Sequence, residues 1–232
     1  MRIYRTFPDA LNELKRDIAE LGTKVHPQTM QDKQIADDPD YETQEYLNMI
    51  YTVTQPDLND LWGSANVTWC EAEWLERLQG LQPGDPRLAA WKLRPQVWQE
   101  FADRGFGYTY GERYRSHPDS SNGVLVSIID ELRFHPDSRQ LFMPVWREMD
   151  NTELGDRRVP CSLGYWFALR GSRLHITYLQ RSGDYFTHLA NDMYLTHKLQ
   201  QYVAQQIGAK TGNFVHWLGS LHVYRKDVAD VF

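Results

Sequence analysis

The sequence has few cysteines. Its 232 residues include two, Cys70 and Cys161, which lie far apart in the chain. Small proteins that depend on disulfides carry more cysteines in closely spaced sets. The sequence therefore argues against a disulfide framework, and two free thiols indicate a reducing compartment.

Long apolar runs are also missing. The chain has no apolar stretch of the roughly 18 residues that a membrane helix needs. Residues 1–17 carry charges throughout and lack the apolar segment of a signal peptide. We therefore expect a soluble, cytoplasmic protein that does not bind a membrane.

The chain lacks an excess of positive charge as well. Its formal net charge is −6 at pH 7. Non-specific binding of long nucleic acid depends on a basic surface that displaces counterions. Such binding is therefore disfavoured, whereas a pocket for a single phosphate needs only a few positive groups and stays open.

The composition is that of an ordinary globular protein. Hydrophobic residues make up 41% and aromatic residues 13%, which is enough to bury a core. No internal repeat or low-complexity segment divides the chain. We expect residues 1–232 to form a single domain.

The sequence of the first half of the chain predicts mainly helices. Five apolar residues at helical spacing predict a first helix that stops at Gly22: Phe7, Leu11, Leu14, Ile18 and Leu21. Residues 23–45 are polar and predict loop, and the tryptophan-rich residues 46–101 predict several short helices. Ser121 is a candidate cap for a further helix.

The second half changes character from Gln140 onwards. Short segments rich in aromatic and β-branched residues predict strands, separated by turns. A helical pattern from Asn191 to Ile207, closed by Gly208, lies between the last two segments. The predicted fold class is α/β (α+β): helices first, then a sheet with one long helix inserted.

Cys161 is the first candidate for chemistry. It opens a strand-like segment, and the polar residues 180–184 follow another apolar strand. A lone cysteine is commonly a small core residue. An arginine close by would instead favour the reactive thiolate. Spacing alone leaves the two interpretations level.

Several motifs together resemble the thymidylate synthase family. The resemblance runs without gaps from Pro160 to about Tyr224 and rests on three motifs: Pro160-Cys161, Gln180-Arg181-Ser182-x-Asp184 and Gly219-x-x-His222-x-Tyr224. Three weaker matches lie upstream: residues 107–111, Asp137-Ser138-Arg139 and Val145-Trp146. The resemblance implies a thymidylate synthase-like fold, with helices packed on a mixed sheet and a shortened C-terminus.

The resemblance also implies catalytic roles. Cys161 would add to the 6-carbon of a pyrimidine nucleoside monophosphate, and Tyr110 would assist proton removal from the 5-carbon. The family uses a glutamate on an early helix, for which Glu45 is the candidate and Asn48 the alternative by a gap-free count. The implied co-substrate is 5,10-methylenetetrahydrofolate, with no metal.

The binding residues are implied in the same way. The 5′-phosphate would be held by Arg181, Ser182 and Arg139. Because the family takes the arginine at the position of Arg139 from the partner subunit, a homodimer with shared active sites is implied. The remaining positions are His222 and Tyr224 at the sugar 3′-hydroxyl, Gln180 and Asp184 at the base and folate sides, and Trp69 at the folate face.

The most informative departure from the family pattern is Asp192. The family has an asparagine there, which reads the pyrimidine edge. A carboxylate can only accept, so it suits the exocyclic amine of cytosine and leaves the 4-oxygen of uracil without a donor. Family members that act on cytidylates carry this change. Two alternatives stay open: Asp192 caps the helix, or Asn191 is the true counterpart.

Other departures bear on the phosphate and folate sites. The family's loop arginine near the N-terminus and its second arginine beside Arg139 are missing, unless Lys24, Arg113 or Arg115 substitutes. Near Trp69 the spacing predicts that the tryptophan is displaced and that Cys70 takes its position. The missing C-terminal tail agrees with capture of the product by water, and equally with a lost folate site.

The sequence therefore predicts 5-hydroxymethylation of CMP or dCMP, closest in pattern to the cytidylate 5-hydroxymethylases. One rival is thymidylate synthase-type methylation of dUMP or dCMP. A second is a non-catalytic nucleotide-binding module. A thiol hydrolase that pairs Cys161 with His175 or His222 is the most distant alternative.

Overall fold

A computed structural model of the chain describes residues 1–30, 33–115, 123–152 and 158–228. The strands are β1 (Arg2–Tyr4), β2 (Thr23–Val25), β3 (Thr29–Met30), β4 (Lys33–Gln34), β5 (Thr43–Val53), β6 (Phe142–Pro144), β7 (Ser162–Arg170), β8 (Arg173–Asp184) and β9 (Lys210–Tyr224). The α-helices are α1 (Phe7–Leu21), α2 (Val67–Gln79), α3 (Pro95–Arg104), α4 (Tyr110–Arg115), α5 (Val124–Phe134), α6 (Met149–Thr152) and α7 (Ala190–Gln206).

One mixed sheet organises the fold. Its strand order is β1-β5-β9-β8-β7-β6, and β2 pairs with the other end of the β5 edge that β1 occupies. The β1–β5 and β8–β9 pairs are parallel, whereas β5–β9, β7–β8 and β6–β7 are antiparallel. Helices α1 and α7 pack on this sheet, so the predicted class of helices on a mixed sheet is confirmed.

Local signals account for the two best-predicted helices. Thr6 and Asp9 form a reciprocal capping box at the start of α1, which ends at Leu21 as its apolar spacing predicts. Helix α7 buries residues on nearly every side because it lies between the sheet and α2. Gly208, at φ +69°, follows its end in the left-handed conformation that favours glycine.

The helical prediction for residues 46–101 is wrong at its start. Residues 43–53 form β5, which pairs with β9 along its length. The register skips Asn48, whose φ is +56°, so an irregularity interrupts the alternation that would have revealed a strand. Glu45 therefore lies on a strand, and the expected early helix is absent at that position.

The expected order of helices before sheet is also wrong. Strands β1 and β5 come from the first quarter of the chain, yet they join the same sheet as β6 to β9. Residues 23–45, predicted as loop, include β2 and the β3–β4 hairpin. Ser121, the candidate cap, lies outside the described residues, and α5 begins after Gly123.

Candidate active site

A cavity of about 590 Å³ opens where β8 and β9 end and β5 begins. The helices α2, α3 and α4 and the start of α7 complete its wall. The structure brings together at this cavity all the predicted site residues except Arg139: Glu45, Trp69, Tyr110, Cys161, Gln180, Arg181, Ser182, Asp184, Asp192, His222 and Tyr224. Arg139 is exposed and lies outside it.

Cys161 is held in place by Arg181. The Arg181 backbone N–H donates to the Cys161 carbonyl at 2.9 Å, and its guanidinium Nε donates to the Pro160 carbonyl at 2.8 Å. Burial raises the pKa of the Cys161 thiol, while the positive charges of Arg181 and Arg158 oppose that rise. The geometry thus keeps a partly exposed thiol beside two cations, which stabilise a thiolate when one forms.

Asp192 shares the cavity with this thiol. Its carboxylate Oδ2 accepts a hydrogen bond of 2.7 Å from Gln180 Nε2. Burial raises the pKa of Asp192 to about 6, and the Gln180 hydrogen bond and the charges of Arg77 and Arg94 limit the rise. The carboxyl group can therefore change protonation near neutral pH.

The neighbouring Asn191 faces away from the cavity. It is buried, and its Oδ1 accepts from the Asn66 backbone N–H at 2.7 Å and from Cys70 Sγ at 3.4 Å. Its Nδ2 donates to the Thr187 carbonyl at 3.0 Å. Asn191 is thus committed to joining α2 to the start of α7, and Asp192 is the residue that faces the cavity.

Asp192 does not cap α7. The turn before the helix is capped by Asp184, whose Oδ1 accepts from the backbone N–H groups of Phe186 and Thr187, both at 3.1 Å. Asp192 lies inside the first turn of α7 instead. The capping alternative for Asp192 is therefore wrong.

Tyr110 connects to a buried chain of hydroxyl groups. Its OH lies 3.1 Å from Ser162 Oγ, which lies 2.6 Å from the OH of Tyr178. The Arg77 guanidinium stacks 4.0 Å from the Tyr110 ring centre. Gly111 permits this arrangement, because a Cβ there would lie 2.7 Å from the Glu76 carbonyl oxygen and from the Leu81 nitrogen. Ser162 and Tyr178 were not singled out from the sequence.

A second group of polar side chains lines the cavity where β5 pairs with β9. Ser220 Oγ donates a short hydrogen bond to Glu45 Oε1 and lies 3.4 Å from His222 Nδ1. The Tyr224 ring packs edge-on against His222, with centres 5.1 Å apart. Burial lowers the pKa of His222, so its imidazole is neutral at pH 7. Asn48, the alternative to Glu45, does not line the cavity.

The cations at the cavity differ from the substitutes considered from sequence. Arg113 is buried in an ion pair with Asp150, and Arg115 donates to the Leu78 carbonyl. Neither of these, nor Lys24, lines the cavity. Arg158 and Lys226 do line it, and neither belongs to a motif by which it could have been found from the sequence.

The remaining wall of the cavity is aromatic. Trp69 and Trp98 stack with ring centres 6.1 Å apart, and Arg94 lies 5.0 Å from the Trp69 ring centre. Among the described residues, Trp69 Nε1, Trp98 Nε1 and Arg94 Nη1 are buried without an acceptor. The flat indole faces of this wall fit a planar heteroaromatic ligand. Cys70, proposed at the tryptophan position, is buried behind the wall.

The described part of the chain contains no cluster of histidine, cysteine, aspartate or glutamate suited to a metal ion. It also contains no helix long and apolar enough to cross a membrane.

The family model for thymidylate synthase matches residues 83–232, more than half of the chain. The chain belongs to the thymidylate synthase family. Membership makes it an enzyme of one-carbon transfer to a pyrimidine nucleotide, with methylenetetrahydrofolate as co-substrate. Residues 1–82, outside the match, supply Glu45 and Trp69 to the thymidylate synthase-type cavity.

Proposed function

We propose that the protein hydroxymethylates the 5-carbon of a cytidine 5′-monophosphate, CMP or dCMP, using methylenetetrahydrofolate and water. The observation that carries this proposal is the carboxyl group of Asp192, which faces the same cavity as the Cys161 thiol. The two groups are near enough for the charge of Asp192 to raise the pKa of Cys161.

Asp192 suits cytosine better than uracil. Its carboxylate accepts from the exocyclic amine, and a proton on the other oxygen bridges to the ring nitrogen. That proton offsets the negative charge that develops on the ring when the thiolate adds. A uracil 4-oxygen facing the ionised carboxylate would be left unpaired, which costs about 1–3 kcal/mol.

The reaction balances with the residues at the cavity. Cys161 Sγ bonds to the ring 6-carbon, and the displaced electron pair makes the 5-carbon a nucleophile. Methylenetetrahydrofolate supplies the one-carbon unit and is released as tetrahydrofolate. The 5-carbon loses its proton with the help of Tyr110, water adds to the exocyclic methylene, and the Sγ–carbon bond breaks to restore the thiol.

The substrate and co-substrate have separate parts of the cavity in this proposal. Arg181 and Ser182 bind the phosphate, and His222 and Tyr224 bind the sugar hydroxyl. Glu45 organises water for proton transfer, and Gln180 and Asp184 line the base and folate sides. The stacked indoles of Trp69 and Trp98 support binding of the folate ring at the aromatic wall.

We also propose a homodimer that shares its active sites. The exposed Arg139 lies outside the cavity of its own subunit, which agrees with a role in the site of a partner subunit. Mixing Cys161→Ser with Arg139→Ala protein tests this. Random exchange of subunits should restore about a quarter of the activity, since half the dimers then hold one intact site. No recovery after verified exchange would contradict shared sites.

The decisive experiment incubates the protein with methylenetetrahydrofolate and each of CMP, dCMP, UMP and dUMP, and measures product mass. A hydroxymethyl group on the cytosine nucleotides, without dihydrofolate, is the expected result. Dihydrofolate formation would identify methylation instead, because only methylation oxidises the folate. Cys161→Ser is the matched control and should release no tritium from a 5-labelled substrate. Turnover of dUMP alone would refute the cytosine specificity.

A further inference from the structure

A row of aromatic side chains crosses the sheet beneath the cavity. Tyr165, Tyr178, His216 and Tyr51 occupy paired positions on β7, β8, β9 and β5. Tyr178 stacks on Tyr165 with centres 5.1 Å apart and on His216 at 4.5 Å. All four are buried. Cross-strand stacking of this kind fixes the plane and position of the His216 ring.

Three hydrogen bonds lead from this row to the cavity. The OH of Tyr51 lies 2.7 Å from His216 Nδ1, and His216 Nε2 lies 2.9 Å from Gln180 Oε1. Gln180 Nε2 then donates to Asp192 Oδ2 at 2.7 Å. Gln180 lies two residues after Tyr178 on β8 and therefore projects from the same face of the sheet.

The chemistry of these groups gives the chain one direction. An amide oxygen can only accept, so His216 Nε2 must carry the proton that meets Gln180 Oε1. Burial lowers the pKa of His216 to about 3, so the ring is neutral and its Nδ1 is bare. Tyr51, whose pKa is raised by burial, donates to that nitrogen. The donors therefore run from Tyr51 to His216 to Gln180 to Asp192.

We propose that His216 is a positioning residue that, through Gln180, decides which oxygen of Asp192 presents a proton to the nucleotide base. A turn of the Gln180 amide would cost it the bond from His216 Nε2, so this bond holds the NH₂ group toward Asp192 Oδ2. An oxygen that already accepts from this donor is a poor place for a proton. The proton of a neutral Asp192 is therefore left on Oδ1, free to meet the base. This inference rests on the proposed role of Asp192 in base recognition.

Removing the His216 donor should release the amide. Gln180 could then turn its oxygen toward Asp192 and accept the carboxyl proton itself. The neutral carboxyl would gain a partner, so the pKa of Asp192 should rise. The expected rise is about one pKa unit, the scale of one hydrogen bond to a charged group.

Other charges around Asp192 stay in place in this comparison. The titratable and charged groups that face it come from every neighbouring element: Arg77 and Cys70 on α2, Arg94 before α3, Tyr110 on α4, Cys161 before β7, Tyr178 and Asp184 on β8, and Tyr51 on β5. None of them is changed by substitution of His216, so a shift in the pKa of Asp192 would report the hydrogen bonds that link His216 to Asp192 through Gln180.

The test is carbon-13 NMR titration of aspartate-labelled protein without nucleotide, with the Asp192 signal assigned by its loss in Asp192→Asn. His216→Phe keeps an aromatic ring and removes the donor, and should raise the pKa of Asp192 by about one unit. His216→Gln restores an N–H donor and should return the pKa toward that of the unmodified protein. His197→Phe is the matched control, because His197 is another buried histidine bonded to a glutamine, at 2.8 Å from Gln200 Oε1. It should leave Asp192 unchanged.

Tyr51→Phe guards against a variant that fails to fold. It deletes one hydroxyl, so that the ring proton of His216 is no longer held on Nε2. The pKa of Asp192 should then shift upward by a smaller amount than in His216→Phe. An unchanged pKa in both His216→Phe and Tyr51→Phe would overturn the inference. So would a rise in His216→Gln as large as that in His216→Phe, since packing alone would then be responsible.

Activity separates this inference from the proposed function. Tritium release from 5-labelled CMP or dCMP should fall about tenfold in His216→Phe and recover in His216→Gln, as one lost hydrogen bond to a charged group predicts. If the unmodified protein releases no tritium, the proposed function fails. The nucleotide-free titration still tests the positioning role of His216 in that case, because it needs no turnover.

Discussion

Replacing Asp192 with asparagine should stabilise the protein at high pH. Burial raises the pKa of Asp192 to about 6 from an ordinary 3.8. The folded chain therefore binds this proton more tightly than the unfolded chain does. Stability from this group is fully present below about pH 4 and is lost as pH rises through about 6. An asparagine cannot ionise and suffers no such loss.

The size of the effect follows from the pKa difference. A rise of about two units corresponds to about 3 kcal/mol at 1.36 kcal/mol per unit. Asp192 keeps some contact with solvent in the cavity, so the realised effect should lie between about 1 and 3 kcal/mol. The direction of this change is unusual, because the substitution of a site residue raises the free energy of unfolding of the free protein and at the same time weakens its turnover of cytosine nucleotides.

Urea unfolding at about pH 4 and about pH 8 measures this effect. The free energy of unfolding of Asp192→Asn, minus that of the unmodified protein, should be larger at the higher pH. Asp103→Asn, on the exposed side of α3, controls for the loss of one negative charge. A difference for Asp192→Asn that is the same at both pH values would refute the reasoning, since Asp192 would then titrate normally.

Three further predictions concern other parts of the molecule. Iodoacetamide should alkylate Cys161 and spare the fully buried Cys70. The rate of alkylation of Cys161 should increase with pH, because burial raises the pKa of its thiol. Peptide mass spectrometry measures the modification of each cysteine. Asp150→Asn should lower the free energy of unfolding, measured in urea, by about 3–5 kcal/mol, because it leaves the buried Arg113 without its anion. A loss of under about 1 kcal/mol, which is typical of an exposed ion pair, would contradict the buried pairing. Gly111→Ala should lower the melting temperature and the unfolding free energy, by about 1–3 kcal/mol, because its Cβ would meet the backbone of Glu76 and Leu81; calorimetry showing no change would disprove the close approach.

Local patterns predicted those elements whose signals are local. The bounds of α1 follow from apolar spacing and a nearby cap, and α7 with Gly208 follows from the same kind of pattern. Strand β5 was missed because its irregularity at Asn48 hides the alternation. Its place beside β9 depends on residues about 180 positions away, as the pairing of Thr43 with Tyr224 shows.

The same contrast holds at the cavity. Motif spacing brought Cys161, Arg181 and Asp192 to attention, and the fold gathers them at one cavity. The sequence favoured Asp192 as the residue that faces the base and left Asn191 open as the alternative. The structure separates them, since Asn191 Oδ1 accepts hydrogen bonds from Asn66 and Cys70 and does not face the cavity. Their roles in catalysis stay predictions until the substrate experiments are done.

By itself, the sequence determined the family motifs, the two clear helices and the residue types available for chemistry. The tertiary structure alone decided that His216 meets Gln180, that Arg158 reaches the cavity, and that β1 and β5 join the main sheet. The physical reason is that helix signals come from neighbours within a few residues, whereas strand register and side-chain partners are set by long-range packing.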